Sequence, residues 1–144
     1  MWRGVGAPDR REAVPVRRVI IDHMSIGVSD LGRSRDFYRR VLAPLGFEEL
    51  DPWTDGARDV AFGVVGADDF AISLDYPVGA AGAHIAFAAE TRQQVDAFYR
   101  AALDAGGRDN GPPGLRPEYS DGYYGAFVLD PDGYNVEAVC HDED

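Results

Sequence analysis

Apolar and polar residues alternate along 134–140, placing Val136, Ala138 and Cys140 on one face of an extended segment and Asn135, Glu137, Val139 and His141 on the other. The preceding run, Tyr123 to Leu129, is aromatic and apolar as a strand requires, and Asp130-Pro131-Asp132-Gly133 between them carries the residues of a tight turn. The pattern predicts a hairpin over 122–141. Its anomaly is Glu137, a carboxylate at mid-strand, which costs free energy unless it is solvated, paired or bound to a cation.

Alternation also predicts a strand over 18–29, with Asp22, Met24, Ile26 and Val28 on one face and Ile21, His23, Ser25 and Gly27 on the other. Asp30 is placed to cap a helix over 31–43 whose apolar stripe is Leu31, Phe37, Tyr38, Val41 and Leu42, ending at Pro44 and Gly46. Three strands are expected next, over 47–53, 58–65 and 70–76, and then a Gly- and Ala-rich linker over 77–82. A second strand and helix follow over 82–89 and 92–105, with His84, Ala86 and Ala88 sharing one strand face and Thr91 as helix cap. Residues 108–110 suit a short strand, and 111–120, with its prolines and glycines, a loop that lids or walls a pocket.

The second half repeats the first. Phe37 and Tyr38 follow His23 at the spacing at which Phe98 and Tyr99 follow His84, and Leu42 and Gly46 recur in the same way as Leu103 and Gly107. The chain therefore reads as two copies of one strand, helix and three-strand unit.

Composition narrows the function. The 144 residues suffice for one core, and a net charge of -11 argues against nucleic acid and anionic membrane surfaces as partners. The charge is uneven: five arginines against Asp9 and Glu12 make residues 1–18 net +3, leaving -14 on the remainder, and residues 1–17 read as a flexible arm. With Cys140 as the sole cysteine, neither an intrachain disulfide nor a thiolate zinc cluster can form. No stretch reads as a signal peptide or a membrane span, so a cytoplasmic protein is expected.

The segments Ile21-Asp22-His23, Asp30-Leu31 and Phe37-Tyr38, then His84, Phe98-Tyr99 and Asp130-Pro131-Asp132-Gly133-Tyr134-Asn135-Val136-Glu137, resemble the vicinal oxygen chelate superfamily of glyoxalases, bleomycin-resistance proteins and extradiol dioxygenases. The resemblance implies an α+β fold over 18–141, with two βαβββ modules, 18–77 and 82–141, curling into a half-open mixed sheet with helices outside. It also implies a homodimer and a divalent metal ion, with Fe, Mn, Zn and Ni all open. In metal-dependent relatives the ligands come from the first and fourth strands of each module, positions read here as His23, Ser73, His84 and Glu137.

A serine hydroxyl is a poor ligand for a transition metal, which leaves the two-histidine, one-carboxylate set of non-haem iron sites rather than the four-ligand glyoxalase set. His141 and Tyr124 stand as candidate acid/base groups, and Ser73, Asp75, Tyr119 and Tyr123 as candidate pocket lining. The expectation is a metalloenzyme of dioxygenase or lyase type that chelates vicinal oxygens of a small substrate. The alternative is a metal-free protein that sequesters a hydrophobic or antibiotic ligand in a dimer cleft.

Overall fold

The computed structural model describes residues 20–50 and 57–141. Its elements are β1 (Met24–Gly27), α1 (Leu31–Leu42) running into a 3-10 turn at Ala43–Leu45, β2 (Glu48–Leu50), β3 (Asp59–Val64) and β4 (Ala67–Ser73), followed by β5 (His84–Ala88), α2 (Arg92–Asp104), β6 (Arg108–Leu115), β7 (Tyr124–Leu129) and β8 (Asn135–Cys140). They form two open four-stranded sheets, ordered β1-β4-β3-β2 and β5-β8-β7-β6. Each has one parallel pair, β1 with β4 and β5 with β8, and is otherwise antiparallel. The duplicated unit is thus real in topology as well as in sequence.

Local chemistry sets the helix ends. The Asp30 carboxylate accepts from Arg33 N, and Thr91 and Gln94 form a reciprocal capping box at the start of α2. Gly46 closes the first helical segment at φ 87. Its counterpart in the second module is Gly106 at φ 91, one residue earlier than the repeat count places it, while Gly107 has no room for a side chain beside the Phe37 ring and the Ala102 carbonyl. The repeat also loosens at Leu103, which is largely exposed whereas Leu42 is buried.

Phe37, Tyr38, Val41 and Leu42 of α1 and Val95, Phe98 and Ala102 of α2 are buried with Ile26, Phe62, Phe70, Ile72, Val128, Val136 and Ala138 from the sheets. Each large apolar side chain so buried contributes about 1.5–3 kcal/mol. The helices pack on each other as well as on their sheets, so both sheets offer their other face away from the helices.

Several expectations are corrected. The first strand is Met24–Gly27, so His23 precedes it rather than lying within it, and the arm falls outside the described residues. The strand expected over 47–53 is confined to Glu48–Leu50 within the described residues, which omit 51–56. β4 begins at Ala67, because Val65-Gly66 alone make the turn, with Gly66 at φ 88. The first half of the loop expected over 111–120 is strand: β6 runs to Leu115 through Pro112 and Pro113, tolerated because β6 is an edge strand whose register shifts twice there.

The Asp130–Tyr134 turn does more than reverse the chain. Asp130, 2% exposed, accepts from the Asp132 and Tyr134 backbone N–H groups and from the Tyr38 hydroxyl on α1. Asp132 takes the backbone N–H and hydroxyl of Ser29 together with Arg33, and the Tyr134 hydroxyl donates to Gly27 O and accepts from Gly79 N. One turn of the second module therefore clasps the first strand and helix of the other. Burial pushes the Asp130 carboxyl above its usual range, against the pull of those hydrogen bonds.

Burial, and then the neighbouring Asp130 carboxylate, also hold the Tyr38 phenol well above its ordinary value near 10. A group whose folded pKa is raised contributes stability that is complete below its unfolded pKa and is lost as pH rises. Above roughly pH 10 the protein should lose about 1.4 kcal/mol per pH unit from Tyr38. Thermal melts from pH 8 to 11.5 check this, and Tyr38→Phe should flatten the alkaline decline by one proton's worth.

Candidate functional site

Strand pairing builds the site. Ala86 of β5, Glu137 of β8 and Phe127 of β7 are register partners and so form one row on the face of the second sheet that points away from the helices. His84 lies two residues before Ala86 on the same face, opposite Asn135.

The His84 imidazole reaches along the face to Glu137, Nε2 to Oε2 at 2.8 Å, and stacks on the Phe127 ring with centroids 5.8 Å apart. The other oxygen of Glu137, Oε1, accepts from the Tyr123 hydroxyl. Glu137 is 1% exposed, whereas the His84 side chain is 44% exposed. A carboxylate can only accept, so the imidazole donates through Nε2. Burial, then the bond to Glu137, raises the Tyr123 phenol far above its ordinary value, so it stays protonated as a donor.

Gly125 makes the cradle possible. A Cβ there would sit 2.9 Å from Glu137 Oε1 and 3.1 Å from the Tyr123 ring. Gly125→Ala should therefore displace the carboxylate and, if the pair holds a metal ion, weaken its binding by about tenfold or more. Titration of the variant beside the wild type, with a melt to confirm folding, checks this.

The first module presents a different face. Ser25, Asp59, Ala61, Ala71, Ser73 and Asp75 line a cleft of about 210 Å³ there. Asp75 is ion-paired with Arg58, and its N–H donates to the Ser73 hydroxyl. Ser73 and Asp75 thus share a cleft, but not with His84 and Glu137. The ladder also corrects the equivalence of Ser73 with Glu137: Ser25 pairs with Ala71 as Ala86 pairs with Glu137, so the matching fourth-strand position is Ala71. Ser73 is two residues further on, opposite Gly27. Neither side chain supplies a carboxylate.

His23 bonds Asp22, Nδ1 to Oδ1 at 2.8 Å, and its side chain is 54% exposed. That bond, opposed by partial desolvation, raises its pKa. It does not join His84 and Glu137 within one chain: no cluster of three or more His, Cys, Asp or Glu able to hold a metal occurs among the described residues.

Tyr124 is a correction. Its hydroxyl bonds Asp96 at 2.7 Å and its ring lies under Arg92, both on α2, so it belongs to the helix side. Adjacent strand residues face opposite ways, and it is Tyr123 that reaches Glu137. His141 and Tyr119 both pack their rings against Tyr123, at 5.2 and 5.1 Å between centroids, which puts them at the margin of the site. Phe127, Gly125 and Arg116, whose guanidinium lies over the Phe127 ring at 5.7 Å, went unread in the sequence. Counting register back across the turn from Glu137 would have found Phe127.

A tandem βαβββ protein with a buried, hydrogen-bonded carboxylate beside an open imidazole is the class that fold and site define. The chain belongs to the Glyoxalase/Bleomycin resistance protein/Dioxygenase superfamily, whose family model matches residues 20–138. It is 33% identical over 127 residues to the uncharacterized protein YqjT of Bacillus subtilis, covering 82% of this chain and 96% of that one. Its fold is similar to the crystal structure of a glyoxalase/bleomycin resistance protein from Albidiferax ferrireducens, with TM-score 0.72, 29% identity, and coverage of 86% of this chain and 100% of that one. A glyoxalase/bleomycin resistance protein/dioxygenase family enzyme from Burkholderia phytofirmans shares the fold at TM-score 0.65 and 19% identity, covering 85% and 98%. No described helix is long and apolar enough to cross a membrane.

Proposed function

We propose that this protein is a metal-dependent enzyme of dioxygenase or lyase type acting on a small substrate with two neighbouring oxygen atoms. His84 and Glu137 would hold a divalent ion (Fe, Mn, Zn or Ni), and His23 of a second copy would supply the third donor in a homodimer. The observation that carries the reading is the Glu137 carboxylate, buried yet turned to an exposed imidazole 2.8 Å away. That spacing suits two adjacent donors around an ion bonded at about 2.1 Å, so the pair fits a metal, while one chain provides only half of a site.

A bound ion would supply a Lewis acid at the substrate oxygens. The chain's own residues set up that chemistry. Tyr123 fixes the rotamer of Glu137, Phe127 fixes the plane of His84, and His141, exposed beside Tyr123, is placed to carry protons between site and solvent. Ala71 in place of a second carboxylate favours a three-donor set over the four-donor isomerase set. We place the protein in the cytoplasm, where its single, buried cysteine, Cys140, stays reduced.

The test is metal analysis of the full chain, loaded in turn with Fe(II), Mn(II), Zn(II) and Ni(II) without oxygen and then desalted. The reading expects about one ion per chain for at least one metal, lost in His84→Ala. No retained ion under any loading would overturn it.

A metal-free binding protein is the second reading. It draws on an apolar cleft of about 250 Å³ lined by Met24, Phe47, Phe62, Phe70, Ile85 and Phe87. Tight binding of an aromatic compound, unchanged by EDTA and lost on filling that cleft with Met24→Trp, would favour it.

A further inference from the structure

Arg116 lies on the same face as the His84–Glu137 pair. Its Nη2 donates to Pro112 O at 2.7 Å and its Nη1 to Leu115 O at 3.4 Å, while the guanidinium rests over Phe127. A guanidinium has more N–H donors than these two carbonyls use, and its planar fork matches a carboxylate.

The surroundings have made room for it. A Cβ at Gly114 would sit 3.0 Å from Nη1, and one at Gly111 3.5 Å from Nη2. In a chain of net charge -11, Arg33, Arg35, Arg39, Arg40 and Arg58 are all ion-paired with carboxylates. Arg92, Arg100, Arg108 and Arg116 have no carboxylate ion pair among the described residues, and of these it is Arg116, half-buried, that lies over Phe127 beside the His84–Glu137 pair. His84 comes from β5 and Arg116 follows β6, the two outer strands, so imidazole and guanidinium approach Phe127 from opposite edges of the sheet.

We propose that Arg116 anchors a carboxylate of the substrate, so that the site takes small anionic molecules whose carboxylate lies about a ring's width from the vicinal oxygens held at His84 and Glu137. The second half of this statement rests on the metal-site reading above; the anchor itself does not. The chemistry is that of a charged fork held in place by backbone carbonyls and an aromatic face, which costs little further ordering when the anion arrives.

The experiment compares benzoate with benzamide, and 3,4-dihydroxybenzoate with 3,4-dihydroxybenzamide, by calorimetry on the full chain, metal-loaded and EDTA-treated. Benzoate should bind about tenfold more tightly than benzamide with or without metal. Arg116→Gln should remove that preference and Arg116→Lys should keep part of it, with the losses of affinity confined to the anionic probes. Arg116 also holds the 112–116 backbone, so melts accompany each variant, and the wild-type ratio and Arg116→Lys carry the test if Arg116→Gln does not fold. Equal binding of acid and amide, no benzoate binding, or a preference that survives in Arg116→Gln would overturn the anchor. If instead the acid preference holds but the dihydroxy probes gain nothing from metal, the anchor stands and the metal-site reading falls.

Discussion

Glu137→Gln is expected to weaken metal binding by at least about 100-fold while leaving the fold intact. The amide keeps the volume of the carboxylate and an oxygen to accept from Tyr123, so the cradle formed by Gly125 stays filled. It loses the negative charge, and beside His84 it presents either a weak neutral oxygen or an amide nitrogen that can donate only if the imidazole changes tautomer. A transition metal needs the charged donor, since removing it leaves a set of neutral ligands. Titration with Mn(II) or Zn(II), alongside a melt, checks both halves of the expectation. A variant that binds metal as tightly as the wild type would remove Glu137 from the site.

A stability effect as large as that of truncating a core phenylalanine is expected at Asp130. Asp130→Ala should destabilise the protein by about 3–5 kcal/mol, because it leaves the Tyr38 hydroxyl and the Asp132 and Tyr134 backbone N–H groups buried or half-buried without their acceptor. It also frees the turn that carries Asp132 and Tyr134 to the other module. Combined with Tyr38→Phe the loss should be less than the sum of the single losses, because the two side chains share one bond. Chemical denaturation of the four proteins in that cycle measures the coupling. Additive losses would mean that the turn does not couple the modules through this pair.

The same turn shows how far the sequence could be read. Asp130, Pro131 and Gly133 announce a reversal from their own backbone preferences, and the period of two in 134–140 fixes which residues share a face. Both are local properties, so the hairpin, the helices and the duplicated topology were legible. The reach of Asp132 to Ser29 and of Tyr134 to Gly27 is not local, and nothing in the spacing announces it.

The candidate site divides along the same line. His84 and Glu137 were found because each sits on a predictable strand face, and their closeness follows from β5 pairing with β8. The resemblance puts Ser73 at the position of Glu137, whereas the ladder aligns Ala71, a difference that only strand register reveals. Tyr124 was preferred to Tyr123 for want of that same register. Arg116 was hidden because prolines and glycines read as a loop, while as an edge strand they tolerate missing N–H groups and leave space for a guanidinium.

Anomalous X-ray scattering from crystals of the full chain grown with Mn(II) or Fe(II) tests the central claim most directly. The account predicts one peak at about 2.0–2.3 Å from both His84 Nε2 and a Glu137 oxygen, with the imidazole of a second copy's His23 as the third protein donor. A peak elsewhere, or a Glu137 that keeps its bond to His84 at saturating metal, would contradict it.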